Sequence, residues 1–173
     1  MTENNLQPVH SFDPVIDEQA SILILGSMPG EESLRKQQYY ANPRNHFWTM
    51  LYSIFDKSFE EDYEKRLAFL KSKRIALWDV IGQCIRPGSL DSSITEEQVN
   101  DFTTLYHNYP NIRYVLLNGT KAYDTYLKKV GKDDNKTYVK LPSSSPTPGR
   151  NVKSLEEKIE AWRVIKDWTK STS

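Results

Sequence analysis

SILILG, residues 21–26, is an apolar run closed by glycine. No polar residue alternates into it after Ser21, so neither face of the segment is built to meet water. That is the pattern of a strand covered on both sides, as in a parallel sheet packed between helices. Working outward, RIALWDVI (74–81) and RYVLLNG (113–119) read the same way, and TYVKLP (137–142) is a fourth strand that Pro142 stops. The stretches between them have helical spacing. Asn42 reads as an N-cap with Pro43 in the first turn, and Phe47, Trp48, Leu51, Ile54 and Phe55 follow at threes and fours. FEEDYEKRLAFLKSK (59–73) and TEEQVNDFTTLYHNY (95–109) open on acids and predict two further helices. TKAYDTYLKKVG (120–131) ends on lysines and glycine, and Leu155, Ile159, Trp162, Ile165 and Trp168 stripe one last helix. Strands separated by helices require crossovers. The expected fold is therefore α/β: a three-layer α/β/α sandwich around a four-stranded, largely parallel sheet. We expect one domain over residues 1–173, with its core at about 21–168 and residues 1–20 as an N-terminal extension.

Composition agrees with a compact protein of this kind. The chain has 173 residues, 23 basic against 23 acidic side chains, and one cysteine, Cys84. A single cysteine can form neither an internal disulfide nor a cysteine-based zinc site. There is no apolar run approaching ~18 residues and no basic, apolar start of a secretory signal. The expectation is a soluble, cytoplasmic monomer without membrane contact. Neutral net charge does not advertise a nucleic-acid binder, although a local basic patch would suffice.

Ligands of such sheets bind beyond the carboxyl ends of the strands. Four loops leave those ends: GSMPGEESL, GQCIRPGSLDSS, NGTKA and SSSPTPGR. The first has no lysine where a phosphate loop needs one and lacks dinucleotide glycine spacing, which disfavours a nucleotide cofactor. In QQYYANPRNHFW (37–48), Tyr39 and Tyr40 could pack or offer a platform for a base, and Asn45 sits where free backbone N–H groups gather. His46 is a candidate base or a packed side chain. Glu31 and Glu32 are candidate acids or partners of a helix dipole. His10 and His107 lie in unrelated segments, and we expect no metal.

GSMPGEESL, QYYANPRNHFW, LWDVIGQCIRPGSLDSSI, VLLNGTKA and LPSSSP, in this order and spacing, resemble the uracil-DNA glycosylase superfamily. Within it the chain is most similar to the hypoxanthine-DNA glycosylase (deoxyinosine glycosylase) family, over about residues 21–168. Relatives that act on mismatched uracil and thymine carry a catalytic asparagine where this chain has Met28. The resemblance instead places the catalytic amide in the PxNxFW segment, at Asn45. It implies that Asn118 also takes part in catalysis and faces the base, that Tyr40 stacks on the base, and that Ser27, Met28 and Phe47 complete the base pocket. It implies further that the loop LPSSSPTPGR, through Ser143, Ser144, Ser145 and Arg150, holds the DNA strand. The implied activity is hydrolysis of the N-glycosidic bond of a deaminated base extruded from DNA, without a cofactor. Uracil or xanthine as the preferred base, or a non-catalytic nucleic-acid-binding module, are the alternatives.

Overall fold

The computed structural model describes residues 7–146 and 153–171. In chain order its elements are β1 (Pro8–His10), β2 (Ile22–Gly26), α1 (Glu31–Lys36), α2 (Phe47–Ile54), α3 (Tyr63–Ser72), β3 (Ile75–Asp79) and β4 (Ile81–Ile85). These are followed by β5 (Thr95–Val99), α4 (Phe102–Asn108), β6 (Tyr114–Asn118), α5 (Thr120–Lys129), β7 (Thr137–Leu141), α6 (Leu155–Trp162) and α7 (Val164–Ser171).

Four strands form one sheet in the order β3-β2-β6-β7, and every pair in it is parallel. The expected three-layer sandwich is what forms. Ile22, Ile24, Leu77 and Leu116 point to one face and pack with residues of α2, α3, α6 and α7. Leu23, Leu25, Ala76, Trp78, Val115 and Leu117 point to the other and pack with Phe102, Leu105, Ala122 and Tyr126 of α4 and α5. Both faces are covered, so β2 and β3 are buried at every position, which accounts for their unbroken apolar runs. The register sets Gly26 beside Asp79 and Asn118 beside Leu141 at the carboxyl end of the sheet.

The structure departs from the sequence reading where pairing is distant along the chain. RIALWDVI is not one strand. After Asp79 the backbone turns, with Val80 N–H donating to Gly26 O at 2.8 Å and Ile81 N–H to Ser27 O at 3.1 Å. The chain then runs into β4, the middle strand of a second, antiparallel sheet of order β1-β4-β5. Residues 95–99, expected to begin a helix, form the third strand of that sheet. The helix starts only at Phe102, where Asp101 accepts the Thr104 N–H at 3.0 Å. Acids at 96 and 97 suit a helix start, but β4 offers a partner for the backbone that local pattern cannot reveal. The supposed extension also takes part in the fold: β1 pairs with β4, Val15 bridges Leu77, and Phe12 O accepts the Trp78 indole N–H at 3.0 Å. Asn42 does not cap α2; its side chain closes a local turn onto Arg44 N–H at 2.9 Å. The helix at 59–73 begins at Tyr63, capped by Asp62, and the last apolar stripe is divided at Arg163 into α6 and α7.

Candidate active site

A cavity of about 840 Å³ opens at the carboxyl ends of the parallel strands. That lies within the range of small-ligand sites. Three of the four strand-end loops supply its walls, and the fourth contributes Gly119 and Thr120.

Asn45 precedes α2, and its Oδ1 accepts the Phe47 N–H at 2.9 Å. The bond satisfies a first-turn donor that the helix cannot satisfy internally. It also fixes the amide at the cavity wall, with one Oδ1 lone pair and the Nδ2 group beyond it. Tyr40 has a left-handed backbone, φ 55°, uncommon for a residue with a bulky side chain. Two contacts hold it there. Its ring stacks on Phe47 at 4.0 Å between centroids and 18° between planes, and its hydroxyl accepts from Asn118 Nδ2 at 3.2 Å. Burial first, then the nearby Asp79, holds the Tyr40 hydroxyl in its protonated form. Phe47 is fully buried beneath that ring and is not part of the cavity wall, so it can reach a base only through Tyr40. Tyr39 is buried too: its hydroxyl donates to Asp13 O at 3.0 Å, and its ring serves the core and not a platform.

Asn118 ends β6 at 8% exposure, and its amide is the hub of the site. Oδ1 accepts the Ser144 N–H at 2.9 Å, while Nδ2 donates to Ser144 Oγ at 3.0 Å as well as to Tyr40. The loop after β7 is tied down further. Ser144 O accepts His46 N–H at 2.9 Å, Pro142 O accepts the Trp162 indole at 2.8 Å, and Ser145 O accepts Lys158 Nζ at 3.3 Å. Ser144 is therefore turned inward at 1% exposure, whereas Ser143 is exposed and Ser145 half-buried. Arg150 lies outside the described residues.

On the opposite wall, Ser27 Oγ donates to Asp91 Oδ1 at 2.7 Å, Ser89 Oγ accepts the Glu31 N–H at 2.7 Å, and Arg86 donates to Pro29 O. Met28 borders the cavity, but its side chain packs in a small cluster with Ile81, Cys84 and Ile94. Glu32 pairs with Arg35 at 2.5 Å, which holds its carboxyl below the usual range. That pairing suits a surface role better than proton transfer.

Among the described residues, two buried charged side chains besides Arg86 escaped the sequence reading. Lys158, 2% exposed, sits on the cavity-facing side of α6 with Nζ 3.2 Å from His46 Nδ1. Its place between Leu155 and Trp162 on the apolar stripe was the available signal. Burial, then Lys158, lowers the His46 pKa, which favours the neutral ring beside the lysine. Asp79, 3% exposed, ends β3 within an otherwise apolar run, and burial raises its pKa to about 7. The structure thus brings Asn45, Asn118, Tyr40, Ser27 and Met28 to one cavity, along with Ser143, Ser144 and Ser145. Among the described residues, no three His, Cys, Asp or Glu side chains gather as a metal site, and no helix is long and apolar enough to cross a membrane.

Known proteins resemble this chain in sequence and in fold. A Methanosarcina acetivorans protein named hypoxanthine DNA glycosylase is 45% identical over 153 residues, covering 87% of this chain and 94% of its own. A protein of the same name from Methanosarcina barkeri is 42% identical over 154 residues, covering 87% and 93%. The solution NMR structure of a candidate uracil DNA glycosylase from Methanosarcina acetivorans superposes with a TM-score of 0.75 at 41% identity, over 92% of this chain and 99% of that one. The model of the uracil DNA glycosylase superfamily matches residues 14–166, and with these relatives it shows that the chain belongs to that superfamily.

Proposed function

We propose that this chain is a monofunctional DNA glycosylase that releases hypoxanthine from deoxyinosine in DNA and leaves an abasic site. The observation that carries the reading is the meeting of Asn45, Asn118 and Tyr40 at one cavity in a chain whose relatives bear the name hypoxanthine DNA glycosylase. An enzyme acting on a base in DNA must take it out of the stack, and a mispaired deaminated base costs least to extrude. The free face of Tyr40, backed by Phe47, offers the extruded base a stacking surface. Water then bonds to C1′ as the C1′–N9 bond breaks, the electron pair leaves with the base, and protonation of the released base balances the proton lost by water. Positive charge builds on the sugar and negative charge on the base. Asn45 is an amide and takes no proton; its free lone pair orients the water. The neutral net charge is no obstacle, because Lys140 and Lys153 are exposed at the cavity rim, where phosphates would lie.

The test is incubation of the pure protein, with chelator and no cofactor, with oligonucleotides carrying one inosine, uracil, xanthine or adenine. Hypoxanthine release is expected, with strand cleavage only after alkali. Lys158 is the lysine to watch, but its Nζ is engaged by Ser145 O and His46. Borohydride should therefore trap no covalent adduct. Loss of activity on chelation, or a trapped adduct, would contradict the mechanism.

Gly26→Ala should also impair the site. A Cβ there would stand 2.8 Å from Asp79 Oδ1 and 3.0 Å from Tyr40 Oη, so one of them must move. Displacing a positioning side chain by about 1 Å can cost ~10²-fold in rate. Single-turnover cleavage should fall by at least ~10-fold on that argument, while circular dichroism shows an intact fold. Full activity would mean that Tyr40 and Asp79 need not hold these positions.

A further inference from the structure

Asp79 is the one acidic residue at the end of a strand that is otherwise apolar and buried throughout. Its carboxyl lies at the floor of the cavity, beside Gly26 and the Tyr40 hydroxyl. Oδ2 is buried and, among the described residues, has no hydrogen-bond partner. The residue's backbone is anchored, since Asp79 O accepts Asn100 Nδ2 at 2.7 Å. Among the described residues, no lysine or arginine forms an ion pair with the side chain. A buried polar atom left without a partner is destabilising, and in a binding cavity its natural partner is the ligand.

The charged and titratable groups around it are Asp91 from the turn after β4, Arg86 at the end of β4, and Tyr39 and Tyr40 from the loop before α2. Asp91 disfavours ionisation of Asp79 and Arg86 favours it, but burial is the largest influence. A base filling the cavity would displace water and strengthen that influence.

Resting on the functional reading above, we propose that Asp79 binds the extruded base as a neutral carboxylic acid, its carbonyl oxygen accepting the N1–H of hypoxanthine and its hydroxyl donating to O6. The adjacent donor and acceptor of the lactam edge match the acceptor and donor of a protonated carboxyl. An ionised carboxylate could accept from N1–H, but it would oppose O6 and repel the negative charge that the base gains as the C1′–N9 bond breaks. The neutral form places a donor on the oxygen over which that charge spreads, as a buried neutral acid can in an oxyanion site. Asn118 does not fill this role in the present arrangement, because both Nδ2 hydrogens are engaged by Tyr40 and Ser144.

An asparagine presents the same donor and acceptor without titrating, so it separates this role from others. In single-turnover cleavage of inosine DNA between pH 5.5 and 9, wild-type activity should fall with rising pH along a limb at or above about pH 7. Asp79→Asn should cleave within about tenfold of wild type at pH 6 and lack that limb, as an amide of matching pattern should. Asp79→Leu should lose at least ~10²-fold at every pH. DNA containing 1-methylhypoxanthine should be a poor substrate for wild type.

Thermal unfolding gives a readout independent of activity. A carboxyl whose folded pKa is raised above its unfolded value binds its proton more tightly when folded. Its contribution to stability therefore falls as pH rises from the unfolded value near 4 to the folded value of about 7, and is constant above that. That part of the Tm slope should vanish in Asp79→Asn. An alkaline limb that persists in Asp79→Asn, or an Asn variant as inactive as Leu with its Tm intact, would overturn the pairing alone. A wild type that releases no hypoxanthine at any pH would overturn the functional reading and the pairing with it.

Discussion

Asn45→Ala should lower single-turnover cleavage of inosine DNA by at least ~10²-fold, the scale expected when a positioned polar group is lost from the transition state. The amide has two duties that must be separated. Its Oδ1 caps the Phe47 N–H, so alanine should also cost ~1 kcal/mol of stability, as loss of a helix cap does. Asn45→Asp retains an oxygen for that N–H. A deficit in the aspartate variant at wild-type Tm is therefore chemical and not structural. Asn42 is the comparison. Its Oδ1 closes a turn on Arg44 N–H, and Asn42→Ala should register mainly as a stability loss of ~1 kcal/mol or less. Cleavage measured on both variants, with unfolding curves, checks the assignment. If Asn42→Ala removed the chemistry while Asn45→Ala left it intact, the roles of the two amides would be reversed.

Asn118→Ala should be as damaging by a different route. One side chain secures Ser144 through its N–H and Oγ and secures the Tyr40 hydroxyl. Truncation leaves the buried Ser144 N–H without its acceptor, which alone costs ~1–3 kcal/mol. It also frees the Tyr40 hydroxyl, leaving that left-handed residue to its ring contacts with Phe47 and Tyr39. Cleavage should fall by at least ~10²-fold, and here, unlike in Asn45→Ala, a clear drop in Tm should accompany it. Asn118→Asp would keep the acceptor for Ser144 N–H but lose both donors. It should recover part of the stability and little of the activity. A variant with full activity and a lowered Tm would show Asn118 to be structural only.

The sandwich was legible in the chain because burial on both faces of a parallel sheet is written locally. SILILG, RIALWDVI and RYVLLNG are short apolar runs, TYVKLP is an edge strand that Pro142 stops, and each leads into a loop that can carry polar groups. The positions of Asn45, Tyr40 and Asn118 at one cavity follow from that topology, since strands running the same way bring their terminal loops together. The second sheet was not legible. Its pairings join residues 8–10 to 83–85, and 81–85 to 95–99 through a shifted register, and such partners leave no period in either segment alone. The site's internal wiring was hidden for the same reason. Whether Asn118 faces a base or holds Tyr40 depends on a hydroxyl 78 residues away, and whether Ser144 meets DNA or turns inward depends on an amide 26 residues away. Phe47 moved from the base pocket to the core because the Tyr40 ring came to lie over it. The order of residues along the chain sets which groups are available at the carboxyl end of the sheet. Tertiary structure alone decided which of them are already satisfied by one another and which, like the Asp79 carboxyl, are buried with a bond still to make. Hydrogen-bond capacity is a property of a residue, but its satisfaction depends on neighbours brought by the fold.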